Sequence, residues 1–281
     1  MSKQSKIAIL TSTYERPELL MRNLTALAKQ SYENWEHYLV NDGSISDYSS
    51  IEKFINDSPR TKYFKLEQNQ GLNHALNFGL EKIVQSDCEY LVIVDDDDWL
   101  DEEALLMLSK TINEHPNADW LVFNCGNTSN LFNENMKNIT EIESVQYPVE
   151  YQKKASGDKA HAVIVKCLRG HRNIRFSHYI KNGHENLFWY KLSRVSKSLL
   201  INETLVVKEY QLDGLSVSPL YEYDYWKKIR IHFLYLLDNP LEKYYYRLFF
   251  KSVFNFKAFR RKLKKKLGTR YDKVKRYISF K

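Results

Sequence analysis

Tyr90-Leu91-Val92-Ile93-Val94 runs straight into Asp95-Asp96-Asp97-Asp98-Trp99. The five apolar residues, mostly β-branched or aromatic, predict a short strand buried on both faces, as in a parallel sheet flanked by helices. Four consecutive acids cannot share that burial, because an unpaired buried carboxylate costs several kcal/mol. The chain therefore leaves the sheet at Asp95. The carboxyl end of a strand in an open α/β sheet is where ligands bind. Carboxylates crowded there repel one another unless a cation sits among them, and hard oxygen ligands suit Mg²⁺ or Mn²⁺ shared with a substrate's phosphates. The plainer alternative is a solvated acidic loop leading into a helix near Asp101, where acids favour the helix N-terminus.

Outward from this stretch the chain alternates strand and helix. Lys6 to Leu10 reads as a first strand, and Pro17 opens a helix with Leu20, Leu24 and Leu27 on one face. His37 to Val40 predicts a second strand, ending in the turn Asn41-Asp42-Gly43-Ser44. Ile51 to Ile55 suggests a short helix and Tyr63 to Leu66 a third strand. After Asn69-Gln70-Gly71 a helix buries Leu72, Leu76, Leu80 and Ile83. Further on come a helix from Asp101 to His115 and a strand at Trp120–Phe123. Residues 124–160 lack periodicity and read as a substrate loop or a plain surface excursion. Val163 to Val165 reads as a strand, Glu185 opens a helix, and Leu205 to Val207 is a late strand. The expected fold is α/β, a doubly wound and mostly parallel sheet with helices on both faces. Thr11 to Glu15, Asp42 to Ser44, Asn69 to Asn73 and Asp95 to Asp98 each follow a strand. All four clusters thus fall on one edge of the sheet, and that convergence makes a pocket.

At 281 residues the chain exceeds one typical domain. The expected division is a catalytic body at 1–218 and a helical appendage at 219–281. The net charge of +7 hides this division: residues 243–281 hold 15 Lys or Arg against Asp272, which leaves the rest of the chain at −7. No run of 18 apolar residues is present to span a membrane, and Met1 to Lys6 lacks the apolar core of a signal peptide. Cys88, Cys125 and Cys167 are widely spaced and odd in number, which suits reduced thiols and a cytosolic setting.

Four segments together resemble the family-2 inverting glycosyltransferases of the GT-A fold, over roughly residues 6–216. They are Ile9 to Pro17, Val40-Asn41-Asp42-Gly43-Ser44, Asn69 to Asn77, and Asp95-Asp96-Asp97-Asp98-Trp99. The second departs from the usual pattern, with Asn41 where Asp is commoner. The resemblance implies a donor site that includes Thr11, Thr13, Tyr14, Glu15, Asp42, Asn73, Asp95 and Asp96. Thr13 and Tyr14 would border the nucleobase, and Asp42 would accept its imide N–H, which points to a uridine or thymidine diphosphate sugar. Asp42 has the alternative role of capping the turn at Ser44. Asp97, with Asp95, would hold Mn²⁺ or Mg²⁺ at the diphosphate, with Asp96 and Asp98 as the other register. By the same resemblance Glu185 is the general base, with His184 as the alternative. Asp213 stands where the family often has a metal-completing His. The implied reaction is inverting transfer of a hexosyl or N-acetylhexosaminyl group to a glycan hydroxyl, in lipopolysaccharide, lipooligosaccharide or capsule assembly.

The basic tail places Phe256, Phe259, Leu263 and Leu267 at helical spacing, with Lys and Arg on the other faces. Such a helix can lie on an anionic membrane, which suits a lipid-linked acceptor and a peripheral position on the inner face of the cell membrane. The alternatives are a homodimer contact or packing on the body; no nucleic acid is expected as a partner. Two rival classes stay open at this point. A nucleotidyltransferase would want a glycine-rich basic loop after the first strand, and Thr11 to Arg16 has no glycine. A nucleic-acid module acting through the tail would leave four convergent polar loops unexplained.

Overall fold

The computed structural model describes residues 4–127, 137–155 and 157–209, together with Ile229, Phe233, Leu236, Leu237, Phe249 and Phe250. The chain divides into two compact units, Met1–Gln211 and Leu212–Lys281. Asp213 and the Phe256–Leu267 stripe lie outside the described residues.

The first half of the body is a parallel sheet. Strands β1 (Ile7–Thr13), β2 (Trp35–Asn41), β3 (Thr61–Lys65) and β4 (Tyr90–Ile93) run in the order β3-β2-β1-β4, all pairs parallel. Three of these strands read as near-continuous apolar runs because both faces are covered. On β1, Ile7 and Ile9 enter a core with Leu105 and Leu108 of α4 (Ala104–Glu114). Leu10 points the other way, toward α3 (Leu72–Val84). A Cβ at Gly79 would lie 2.2 Å from Leu10 Cδ1, so α3 approaches β1 more closely than alanine would permit. Helix α1 (Pro17–Ala28) starts on Pro17 and buries Leu20, Leu24 and Leu27. Leu20 and Leu24 meet Ile51 and Ile55 of α2 (Ser49–Asn56) in a second core.

Beyond β4 the sheet becomes mixed, continuing β4-β8-β6-β9-β5, with β7 (Glu143–Val145) also on β9. Strand β8 (Lys159–Ile164) is antiparallel to both β4 and β6 (Trp120–Asn127). The strand expected at Val163–Val165 therefore begins earlier, and Val165 already opens α6 (Val165–Gly170). Within 124–160, expected to be irregular, the described part holds β7, α5 (Val149–Lys154) and the start of β8. These elements are short and half polar, so neither the 2-residue nor the 3.6-residue period shows. The late strand extends to β9 (Ser198–Lys208), and it is antiparallel to β5 (Trp99–Leu100) in the register Trp99↔Val207. That pairing pins the residues after the aspartates onto the far end of the sheet. Helix α7 (Asn186–Leu192) completes the body. Among the described residues no helix is long and apolar enough to cross a membrane.

Candidate active site

The four polar clusters are tied to one another by their own side chains. Asp42 is buried at the end of β2. Its carboxylate accepts the Gln70 and Gly71 N–H groups at 3.0 and 2.7 Å and the Asn69 amide at 3.0 Å. A carboxylate has about four acceptor positions, and these donors take three of them. The turn cap belongs to its neighbour instead, since Asn41 Oδ1 accepts the Ser44 N–H at 2.8 Å. Gly71 makes the Asp42 contact with φ at 99°, where any side chain would be strained and would run into Lys181.

Glu15, also in the left-handed region at φ 58°, accepts the Ile45 and Ser46 N–H groups and the Ser46 hydroxyl. The Ser46 hydroxyl, then the Ile45 N–H, hold its carboxyl below the usual range. Its role here is to clamp the loop after β1 onto the loop after β2. Thr13 is buried and its hydroxyl pairs with that of Tyr48 at 3.0 Å, while Thr11 is buried outright. Tyr14 is 45% exposed, a free aromatic face beside the clamp.

Backbone contacts shape the aspartate turn. The Asn23 amide donates to the carbonyls of Asp95 and Asp98, at 3.2 and 2.9 Å, and Arg22 donates to that of Asp97 at 2.5 Å. The side chains then separate into two sets. Asp95, Asp97 and Asp98 bring carboxylate oxygens within 4.8 Å of one another. Asp96 is buried and faces Arg16, whose guanidinium lies 3.5 Å from Asp96 and 3.1 Å from Asp97. Burial, then the charge of Asp97, pushes Asp96 up to about 7. Asp97 is raised by burial and by Asp95. Burial also raises Asp98, against the pull of Lys208, whose ammonium lies 2.6 Å away and reaches Asp95 at 3.5 Å. For Lys208, burial opposes the charge, but Asp98 and Asp95 outweigh it and hold the ammonium well above its usual range.

Glu185 lines a cleft together with Asp95 and Asp98. It caps α7 directly after Gly183 (φ 75°) and His184 (φ 62°), a tight turn that aims it inward. The turn is held by α3. The buried Asn73 amide donates to the carbonyls of Ile180 and Gly183 at 2.8 and 3.1 Å, and Asn182 accepts the Leu72 N–H at 3.0 Å. The N–H groups of the Asn73 amide, expected at the donor, thus position the segment that carries Glu185, while its buried Oδ1 has no partner among the described residues. We expect Asn73→Ala to lower stability by about 1–3 kcal/mol through the stranded carbonyls, read as a drop in denaturant midpoint. Unchanged stability with weakened donor binding would return Asn73 to the donor site.

The cleft has an open volume of about 820 Å³ and is lined by Asp95, Asp98, Glu185, Asp158, Lys159 and Lys208, with Trp189 and His161 behind them. Glu185 is reached by solvent from the cleft, yet the protein surrounding it desolvates its carboxyl. That burial, then Asp95, pushes it up to about 7. His161 stacks on Trp189 at 4.0 Å, and its Nδ1 accepts the Trp120 indole N–H at 3.0 Å. The indole nitrogen is donor-only, so the neutral ring carries its proton on Nε2, and burial drives the imidazole down to about 3.

Asp95, Asp98 and Glu185 thus share one cleft, with Asp97 clustered beside the two aspartates, while Asp42, Tyr14 and Glu15 lie together along the loops after β1 and β2. Arg16, Arg22, Asn23, His161 and Lys208 are members of the site that the motif reading missed. For Lys208 a signal exists, a cation directly after the short apolar run Leu205-Val206-Val207 late in the chain.

The Glycosyl transferase family 2 profile matches residues 8–191. One curated relative is the GalNAc(5)-diNAcBac-PP-undecaprenol beta-1,3-glucosyltransferase of Campylobacter jejuni, 27% identical over 221 residues, which cover 76% of this chain and 68% of that protein. The chain spans only 16% of the length of two other curated relatives it matches. Among solved structures, S. aureus TarS 1-349 in complex with UDP-GlcNAc superposes with a TM-score of 0.67 at 19% identity, over 89% of this chain and 73% of that one. The mannosyltransferase PcManGT from Pyrobaculum calidifontis, in complex with GDP-Man and Mn²⁺, gives 0.56 at 14% identity, over 89% and 69%. These structures share the fold seen here. With the profile spanning well over half of the residues, including every loop that meets at the aspartates, the chain belongs to glycosyl transferase family 2.

Proposed function

We propose that the protein transfers a sugar from a uridine diphosphate sugar to a hydroxyl of a lipid-linked glycan, inverting the anomeric carbon, with Mn²⁺ or Mg²⁺ held by the aspartates. One observation carries this reading: Asp95 and Asp98, clustered with Asp97, line the same cleft as Glu185. The first set fits a divalent ion, being hard oxygen donors within 4.8 Å of one another whose three charges Lys208 and Arg16 offset only in part. A metal bound there would neutralise charge on a departing diphosphate. Glu185 supplies the other half. Ionised above about pH 7, it accepts the proton of the acceptor hydroxyl, and a base opposite the leaving group gives inversion. On the nucleoside side, the remaining acceptor position of Asp42 suits the N3–H of uracil, and Tyr14 offers its exposed face to the ring. The UDP-GlcNAc in the TarS complex and the PP-undecaprenol in the Campylobacter relative's name support the donor and acceptor classes.

A panel of UDP-sugars, assayed for transfer or slow hydrolysis with and without Mn²⁺, tests this directly. We expect turnover with one or a few members, lost on chelation. Metal-independent turnover, or activity only with another nucleotide, would contradict it.

The tail belongs to the same proposal as a membrane contact, with the region 219–281 as a separate domain. Deleting residues 243–281 removes a charge of +14 but none of the residues placed at the donor. We expect the truncated protein to bind UDP with Mn²⁺ as before and to lose adhesion to anionic vesicles. In the intact protein that adhesion should weaken as salt rises. Indifference to anionic vesicles at low salt, with truncation turning a dimer into a monomer, would make the tail an assembly element instead.

A further inference from the structure

The end of β9 does something the metal-site reading does not require: it delivers a lysine into the aspartate cluster. The antiparallel pair Trp99↔Val207, continued by one residue, sets Lys208 opposite Asp98. Its ammonium is 2.6 Å from Asp98 and 3.5 Å from Asp95, two of the three clustered carboxylates. Side-chain exposure is 19% for Lys208 and 5% for Asp98. An exposed ion pair would count for little, but this one is enclosed and is placed by sheet register, not by a wandering side chain. Arg16 lies 3.1 Å from Asp97 of the cluster and 3.5 Å from Asp96, which lies outside it.

We propose that Lys208 is a resident counter-cation of the cluster, occupying the charge position that a divalent metal takes, and that metal entry drives its ammonium off Asp98. The proposal rests on the reading of Asp95, Asp97 and Asp98 as metal ligands. Its physical content is competition. Carboxylates this close need positive charge, and the wild type supplies one internally. Metal binding must therefore break an enclosed ion pair before it gains its own contacts, which weakens the site for free metal. The freed ammonium stays beside the cluster, where an entering diphosphate can take it up.

Mn²⁺ affinity of the full chain, measured by electron paramagnetic resonance without nucleotide, tests the competition. Lys208→Met keeps the length of the side chain and removes the charge; we expect it to bind Mn²⁺ about tenfold or more tightly than wild type. Lys208→Arg, which keeps the charge, should stay near wild type. Equal or weaker Mn²⁺ binding by Lys208→Met overturns the proposal while leaving the metal ligands in place. If neither wild type nor Lys208→Met binds Mn²⁺, with or without UDP, the metal-ligand reading fails and this inference falls with it. Should Lys208→Met not fold, the wild type decides. A Mg²⁺ titration followed by the ¹⁵N resonance of the Lys208 ammonium should move that signal, and a signal that stays fixed while Mg²⁺ binds overturns the displacement.

Discussion

Glu185→Gln is expected to lower turnover by about 10²–10⁴-fold, the usual contribution of a general base, with UDP affinity close to wild type. The amide keeps the size and the place of the side chain at the start of α7 but cannot take a proton from a hydroxyl. The wild-type pH profile belongs to the same argument. With Glu185 pushed up to about 7 by burial and then Asp95, turnover should rise through that pH as the carboxyl ionises, and level off above it. Stability should move the opposite way. A carboxyl whose folded pKa is raised contributes most while protonated, below its unfolded value, and that contribution is lost as pH rises through the folded pKa. At pH 8 Glu185→Gln should therefore melt no lower than wild type while having lost most of its turnover. Loss of UDP binding together with turnover would make Glu185 structural. A selective turnover loss in His184→Ala would move the base by one residue.

Asp97→Asn is expected to remove Mn²⁺-dependent UDP binding and to lower turnover by about 10³-fold or more, since the amide cannot neutralise a cation that contributes several kcal/mol to the transition state. Asp97 lies in the carboxylate cluster and pairs with Arg16, which also has Asp96 as a partner, so its loss strands no lysine as Asp98→Asn would. In Asp98→Asn two effects mix, a lost oxygen ligand and a lost partner for Lys208. Asp96 faces inward to Arg16, and Asp96→Asn should have the smaller effect on metal binding. Full activity in Asp97→Asn, with loss in Asp96→Asn, would shift the ligands to the other register.

The half of the fold that carries these residues is legible because its strands are parallel. Strands such as Ile7–Leu10 and Tyr90–Val94, buried on both faces, are unbroken apolar runs, and the polar residues are forced to their carboxyl ends. The edge of the sheet on which four loops converge follows from that alone. The mixed half is a different matter. Strand β7 has three residues, Glu143, Ser144 and Val145, and its existence depends on β9, more than fifty residues later. No local pattern encodes such a pairing. The site divides along the same line. The acids are visible as motifs, but their partners come from tertiary register: Lys208 through Trp99↔Val207, and Asn23 and Arg22 from the face of α1 against the aspartate turn. Asn73 shows the converse. Its place in a motif suggests ligand contact, yet its amide is spent on the carbonyls of the loop bearing Glu185. A motif states which residues are near the chemistry, and the hydrogen bonds state which of them are left to perform it.

Calorimetry of UDP binding to the intact protein, with Mn²⁺ and then with chelator, tests the central claim most directly. We expect binding in Mn²⁺ that is abolished by chelation, and abolished equally by Asp97→Asn with Mn²⁺ restored. UDP binding of the same strength in chelator, or undiminished binding in Asp97→Asn, would contradict it.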